Sequence, residues 1–181
     1  MRRPRHVVLV GLMGAGKTTI GVPLARALGR PYRDNDVDLQ RRTGRTAHDL
    51  AAAEGMDELH RAEAATLGAA LGEVAPLVIS APASAVADPT ALKQMESVFV
   101  VWLDPAPDTL ADRFSGAGHR PEIGDDARAF FEAQLAERAP LYREIADLVV
   151  QPEPGESVEH IVERVASAVR RAETDHEEGR Q

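Results

Sequence analysis

Cysteine is absent from the 181 residues. Neither a disulfide nor a thiolate metal site is therefore available, and the fold must rest on its packed core. Long apolar runs are missing too, since nothing approaches the roughly 20 residues that a membrane span needs. The opening Met1-Arg2-Arg3-Pro4-Arg5-His6 leads into four apolar residues before Gly11, too few for a signal-peptide core. A basic surplus is also lacking. The net charge of −8 argues against a general nucleic-acid binder, which needs positive surface to release counterions from phosphates. Lysine is scarce, with Lys17 and Lys93 the only two. What remains is ordinary for a soluble globular chain, with 44% hydrophobic and 28% charged residues. The expectation is a monomeric cytoplasmic protein that acts on a small molecule, without membrane or nucleic-acid partners.

The length suits one α/β domain. Short apolar runs at His6–Val10, Pro31–Arg33, Leu77–Ser80, Val98–Leu103 and Leu148–Val150 alternate with helical patterns, as in a parallel sheet covered on both faces. Val7-Val8-Leu9-Val10 shows no polar alternation, as expected of a strand buried on two sides. Helices are predicted at about 16–28, 46–54, 57–72, 107–115, 126–145 and 156–172. Thr46 and Asp49 fit an N-terminal capping pair, and Gly44 and Gly55 suit helix ends. Val158, Ile161, Val162, Val165 and Val169 recur at helical spacing as a core face. Pro23 falls inside the first helix and predicts a kink there. The domain is expected over residues 1–172, with residues 173–181 a disordered tail.

The strongest motif is Gly11-Leu12-Met13-Gly14-Ala15-Gly16-Lys17-Thr18, a full match to GxxxxGK[ST] between a strand and a helix. Glycines let the backbone curl so that its N–H groups point at phosphate oxygens, at the positive end of a helix. Gly14, Ala15, Gly16, Lys17, Thr18 and Thr19 are expected to hold ATP. Lys17 reaches the β- and γ-phosphates and the Thr18 hydroxyl ligates Mg²⁺. A second cluster, Asp34-Asn35-Asp36, follows the short second strand. Residues two apart on an extended chain project to one side, so both carboxylates can face one cavity. One can then hold Mg²⁺ through water while the other accepts a proton from an attacking hydroxyl. A solvated turn with helix-capping aspartates is the other reading of the same residues.

These stretches, together with the acidic helix after Asp36, Thr43-Gly44-Arg45 and Glu137-Arg138-Ala139-Pro140-Leu141-Tyr142, resemble the shikimate kinase family over roughly residues 6–165. The resemblance implies that Asp34 supports Mg²⁺ and that Asp36 binds and deprotonates the acceptor hydroxyl. It implies that Arg138 grips a carboxylate with its planar fork. By the same resemblance Arg120 closes over the γ-phosphate and Arg113 flanks the adenine. Gly116, Gly118 and Gly124 make a water-excluding lid plausible over about 113–124. The fold expected is a three-layer α/β P-loop NTPase. It has a five-stranded parallel sheet with helices on both faces, and the lid follows the fourth strand.

Departures from the family pattern concern the acceptor. His60 stands by spacing where a second carboxylate-binding arginine is expected, and it cannot make a two-pronged contact. Arg61 is about 100° further around the helix. Pro82, Ala83 and Ser84 replace three glycines whose backbone approaches the acceptor. Proline lacks the N–H, each added Cβ takes up space, and the Ser84 hydroxyl is offered in exchange. One lost hydrogen bond to a charged group costs about 1.5–3 kcal/mol, or one to two powers of ten in affinity. Three readings follow: a kinase of shikimate, a paralogue acting on another small carboxylate, cyclitol or sugar acid, and a catalytically silent ATP-binding sensor.

Overall fold

The computed structural model describes residues 6–115, 126–153 and 155–178. Five strands, β1 (Val7–Val10), β2 (Tyr32–Asp34), β3 (Val78–Ser80), β4 (Phe99–Leu103) and β5 (Leu148–Val150), form one sheet in the order β2-β3-β1-β4-β5. Every pairing is parallel. The three inner strands, β3, β1 and β4, are buried along their whole length. That burial explains why their sequences are unbroken apolar runs. The carbonyls of His6, Pro31 and Leu77 each accept one further bond from a neighbouring strand. This is why β1, β2 and β3 start one residue earlier in the sequence reading, β2 being displaced by one residue and not longer.

The helices are α1 (Lys17–Leu28), α2 (Asn35–Thr43), α3 (Ala47–Glu54), α4 (Met56–Leu71), α5 (Pro89–Met95), α6 (Pro107–Ser115), α7 (Ala127–Ile145) and α8 (Val158–Glu178), with a 3₁₀ turn at Ala83–Ala87. Helices cover both faces of the sheet: α1 packs on α8, and α7 lies against β4, where Tyr142 stacks on Trp102 with centroids 5.5 Å apart. Thr46 caps α3 through the Asp49 amide, and Gly44 and Gly55 end α2 and α3 as expected. Ile161, Val162, Val165 and Val169 are buried in the main core. The chain passes through Pro23 without breaking α1.

Two differences from the sequence reading stand out. The acidic helix starts earlier than expected, at Asn35 and not after Asp36, because the Asp34 side chain caps it through the Asp36 amide at 3.0 Å, the capping role of the alternative reading. Residues 173–178, expected to belong to a disordered tail, are helical, since α8 continues to Glu178. Polar contacts account for that extension: Arg30 pairs with Glu173, the Arg170 guanidinium donates to the Ala27 carbonyl at 2.8 Å, and the Thr174 hydroxyl donates to the Arg170 carbonyl.

The packing of α1 on the sheet is tight at Gly21. A Cβ there would lie 2.4 Å from Tyr32 Cε2 and 3.1 Å from Leu9 Cδ1. We expect Gly21→Ala to lower the urea midpoint, because overpacking costs about 1–3 kcal/mol and outweighs the roughly 1 kcal/mol that Ala gains in helix propensity. An unchanged or raised midpoint would mean that the Tyr32 ring moves aside freely.

Candidate functional site

In a parallel sheet the ligand lies beyond the carboxyl ends of the strands, and here segments following all five strands line one cleft of about 860 Å³. Met13–Ile20 follow β1, Asp34–Asp36 close β2 and open α2, and Ser80–Ala83 follow β3. Leu103, Pro105 and Ala106 after β4, and Pro152, Glu153, Gly155 and Glu156 after β5, complete the lining.

The glycine-rich loop shapes one end of this cleft. Gly16 caps α1 in the left-handed region at φ 95, which a side chain rarely adopts. A Cβ on Gly11 would meet the Leu103 carbonyl at 2.5 Å, so only glycine lets the loop lie against β4. Lys17, Thr18 and Thr19 open α1, where first-turn amides have no carbonyl partner within the helix and present positive charge. All three, with Gly14, Ala15 and Gly16, line the cleft. The Lys17 ammonium donates to the carbonyls of Gly11 at 2.8 Å and Leu12 at 3.2 Å, which keeps it over the loop. Arg113, near the end of α6, donates to the Gly14 carbonyl at 2.9 Å and also lines the cleft.

Asp34 joins this loop to the rest of the site. One carboxylate oxygen, Oδ2, accepts from the Thr18 hydroxyl at 2.9 Å and from the Tyr32 phenol at 3.1 Å, while Oδ1 caps α2. Ser80 bonds the Tyr32 phenol at 2.6 Å. Burial pushes that phenol up to about 12, so it stays protonated and acts as a donor. Thr18 and Asp34 thus bring a hydroxyl and a carboxylate oxygen together beside the phosphate loop. That hard-oxygen donor set fits Mg²⁺, which takes one or two protein oxygens and completes its shell with phosphates and water.

Asp36 also lines the cleft and is exposed to it. The expected same-side projection of Asp34 and Asp36 came from strand geometry, yet Asp36 is the second residue of a helix. The two carboxylates reach one cleft because α2 starts at its edge.

On the acceptor side, Ala83 lines the cleft and its carbonyl accepts from Arg138 at 3.2 Å and from the Tyr142 hydroxyl at 3.4 Å. Arg138 is half-buried on α7 and supports the Pro82-Ala83-Ser84 loop through the Ala83 carbonyl. His60 is exposed on α4 and does not line the cleft, and Arg61 points away to pair with Glu58. Arg120 and the lid segment 116–124 lie outside the described residues.

Glu63 is the site group that residue patterns missed. It is buried, lines the cleft and accepts from the Ser84 hydroxyl at 2.5 Å. Burial raises its carboxyl above the usual range, and the Asp36 charge adds to the effect. The Ser84 bond, His60 and Lys17 oppose it. Its signal in the sequence is weak: a carboxylate four residues after Leu59, on the face of α4 that packs inward.

Comparison with known proteins agrees with this geometry. A family model described as Shikimate kinase matches residues 13–170. A Shikimate kinase of Mycobacterium tuberculosis is 38% identical over 162 residues, covering 87% of this chain and 92% of that protein. Among solved structures, shikimate kinase from Acinetobacter baumannii in complex with shikimate gives a TM-score of 0.82 at 25% identity, covering 92% of this chain and 93% of that one. Shikimate kinase from Bacteroides thetaiotaomicron gives 0.83 at 28% identity, covering 91% and 98%.

The raised Glu63 carboxyl has a measurable consequence. Its pKa is higher folded than unfolded, so its stabilising contribution is full below the unfolded value of about 4.3 and is lost as pH rises through the folded value. Glu63→Gln keeps an acceptor for Ser84 and removes the buried charge. The variant is expected to melt above the wild type at pH 7–8, with the gap closing toward pH 4. A gap independent of pH would show that ionised Glu63 is not strained.

Proposed function

The chain belongs to the shikimate kinase family, and from that premise we propose that it transfers the γ-phosphate of Mg-ATP to a hydroxyl of shikimate. One observation supports this above the rest: the phosphate loop, the Thr18–Asp34 pair and Asp36 all line a single cleft. The donor and the base therefore have access to the same space.

The loop amides and Lys17 are suited to bind the β- and γ-phosphates, where fixed donors need no rearrangement as charge develops. Thr18 and Asp34 would hold Mg²⁺, which when bound neutralises charge on the transferring phosphate. Asp36 would orient the acceptor hydroxyl and take its proton, a role in keeping with its exposure to the cleft. Arg113 lies over the phosphate loop and is assigned to the nucleotide. Arg120 is assigned to the γ-phosphate and Arg138 to an acceptor carboxylate, both from the motifs that contain them. The work of the protein is thus mainly positioning and charge neutralisation.

A second acceptor class has its own support. Ser84 is bonded to Glu63, and His60 faces solvent, so the acceptor wall differs from an arginine-and-glycine pattern. Another small carboxylate, a cyclitol or a sugar acid would meet that wall on different terms.

Release of ADP from Mg-ATP, measured with shikimate, quinate, gluconate and cyclitols, separates these readings. We expect turnover on shikimate, and Asp36→Asn should reduce it by about 10²–10⁴-fold with the KM for ATP unchanged. Turnover confined to another acceptor would move the assignment to that class. Tight ATP binding with no turnover on the whole panel would describe a silent nucleotide-binding module.

A further inference from the structure

Asn35 is the first residue of α2, and the residue is only 4% exposed. Among the described residues neither its Oδ1 nor its Nδ2 has a hydrogen-bond partner. A buried amide left unpaired destabilises the fold that contains it, and native structures leave few such groups without a reason. Asn35 also lines the cleft, which points to a ligand as the missing partner.

Helix geometry identifies the part of the cleft. Leu39 of α2 and Leu59 of α4 belong to one small buried cluster. Asn35 precedes Leu39 by one turn, and Glu63 follows Leu59 by one turn, so each shares the face of its leucine. Both line the cleft, and so does Asp36. Asn35 therefore stands on the side of the cleft that carries Glu63, whose carboxylate accepts from Ser84. Successive residues of a helix diverge by about 100°. Asp36 accordingly faces a different part of the bound molecule from Asn35.

The chemistry of the amide favours one kind of ligand. A carboxamide both donates and accepts, and so does a hydroxyl. Water on a cation uses acceptors alone, and Asp34 and Thr18 already supply oxygens there. Building on the kinase reading above, we propose that Asn35 binds a second hydroxyl of the acceptor, beside the one that is phosphorylated. Asn35 is then a specificity-determining residue that selects polyhydroxy acceptors.

Full-length wild type, Asn35→Ala and Asn35→Ser should be compared in two ways. One is the melting temperature without ligands. The other is steady-state kinetics with Mg-ATP and shikimate, quinate, gluconate or myo-inositol. Asn35→Ala is expected to melt no lower than wild type while its acceptor KM rises roughly tenfold or more, with ATP KM and Mg²⁺ dependence within about twofold. Asn35→Ser, which keeps one hydroxyl, should fall between. An unchanged acceptor KM in the alanine variant overturns the proposal. So does a shift confined to Mg²⁺ dependence, which would give the amide to the cation. Failure of both variants to fold makes the amide structural and overturns it as well. No turnover by wild type on any acceptor sinks the kinase reading itself, whereas wild-type turnover with unaltered variants sinks only the role of Asn35.

Discussion

The Asp34 carboxylate is the point on which the site depends. It accepts from the first turn of α1 through Thr18, from β2 through Tyr32, and from α2 through the Asp36 amide. Ser80 extends the link to β3. One side chain thereby fixes the phosphate loop relative to the helix that carries Asn35 and Asp36. Bonds from several donors to one ionised group are stronger than neutral ones, and removing such a group leaves each donor to find another partner.

The two halves of the cleft are held by different means. Around the phosphates, backbone conformation does the work: Gly16 in the left-handed region and Gly11 against the Leu103 carbonyl. Around the acceptor, side chains do it, through the Ser84–Glu63 bond and the support of the Ala83 carbonyl by Arg138 and Tyr142. Backbone geometry tolerates few residue types, whereas a wall of side chains can be rebuilt by substitution. This difference sets the glycine-built phosphate loop apart from the Pro82-Ala83-Ser84 stretch, where side chains shape the wall.

What could be read in advance follows the same division. The phosphate loop is legible because glycine spacing, Lys17 and Thr18 are each dictated by the ligand geometry. The five strands are legible because burial on two faces enforces apolar runs. Helix α2 was harder, since its buried residues are Asn35, Asp38 and Leu39 and only one of them is apolar. Its start depends on the Asp34 cap, so strand periodicity extended one step too far gave a sound conclusion about Asp36 for the wrong reason. The end of α8 is fixed by Arg30 and Ala27, residues distant in sequence, and no local pattern reports such contacts. Glu63 and Asn35 look like ordinary polar residues until the packing of α2 on α4 shows that both lie at the cleft.

The contact between α1 and α8 bears on the order in which the protein matures. The helix that follows the phosphate loop packs on α8, its Ala27 carbonyl accepts from Arg170, and Arg30 just past its end pairs with Glu173, partners about 140 positions later. Contacts of such long sequence separation form late, because the intervening chain must first be ordered. During synthesis α1 therefore waits for residues beyond 158 before its outer face is covered, and nascent chains stopped earlier would hold a complete phosphate-binding motif on an unsupported helix. The outer face of α1 is in this sense among the last surfaces that the growing polypeptide covers.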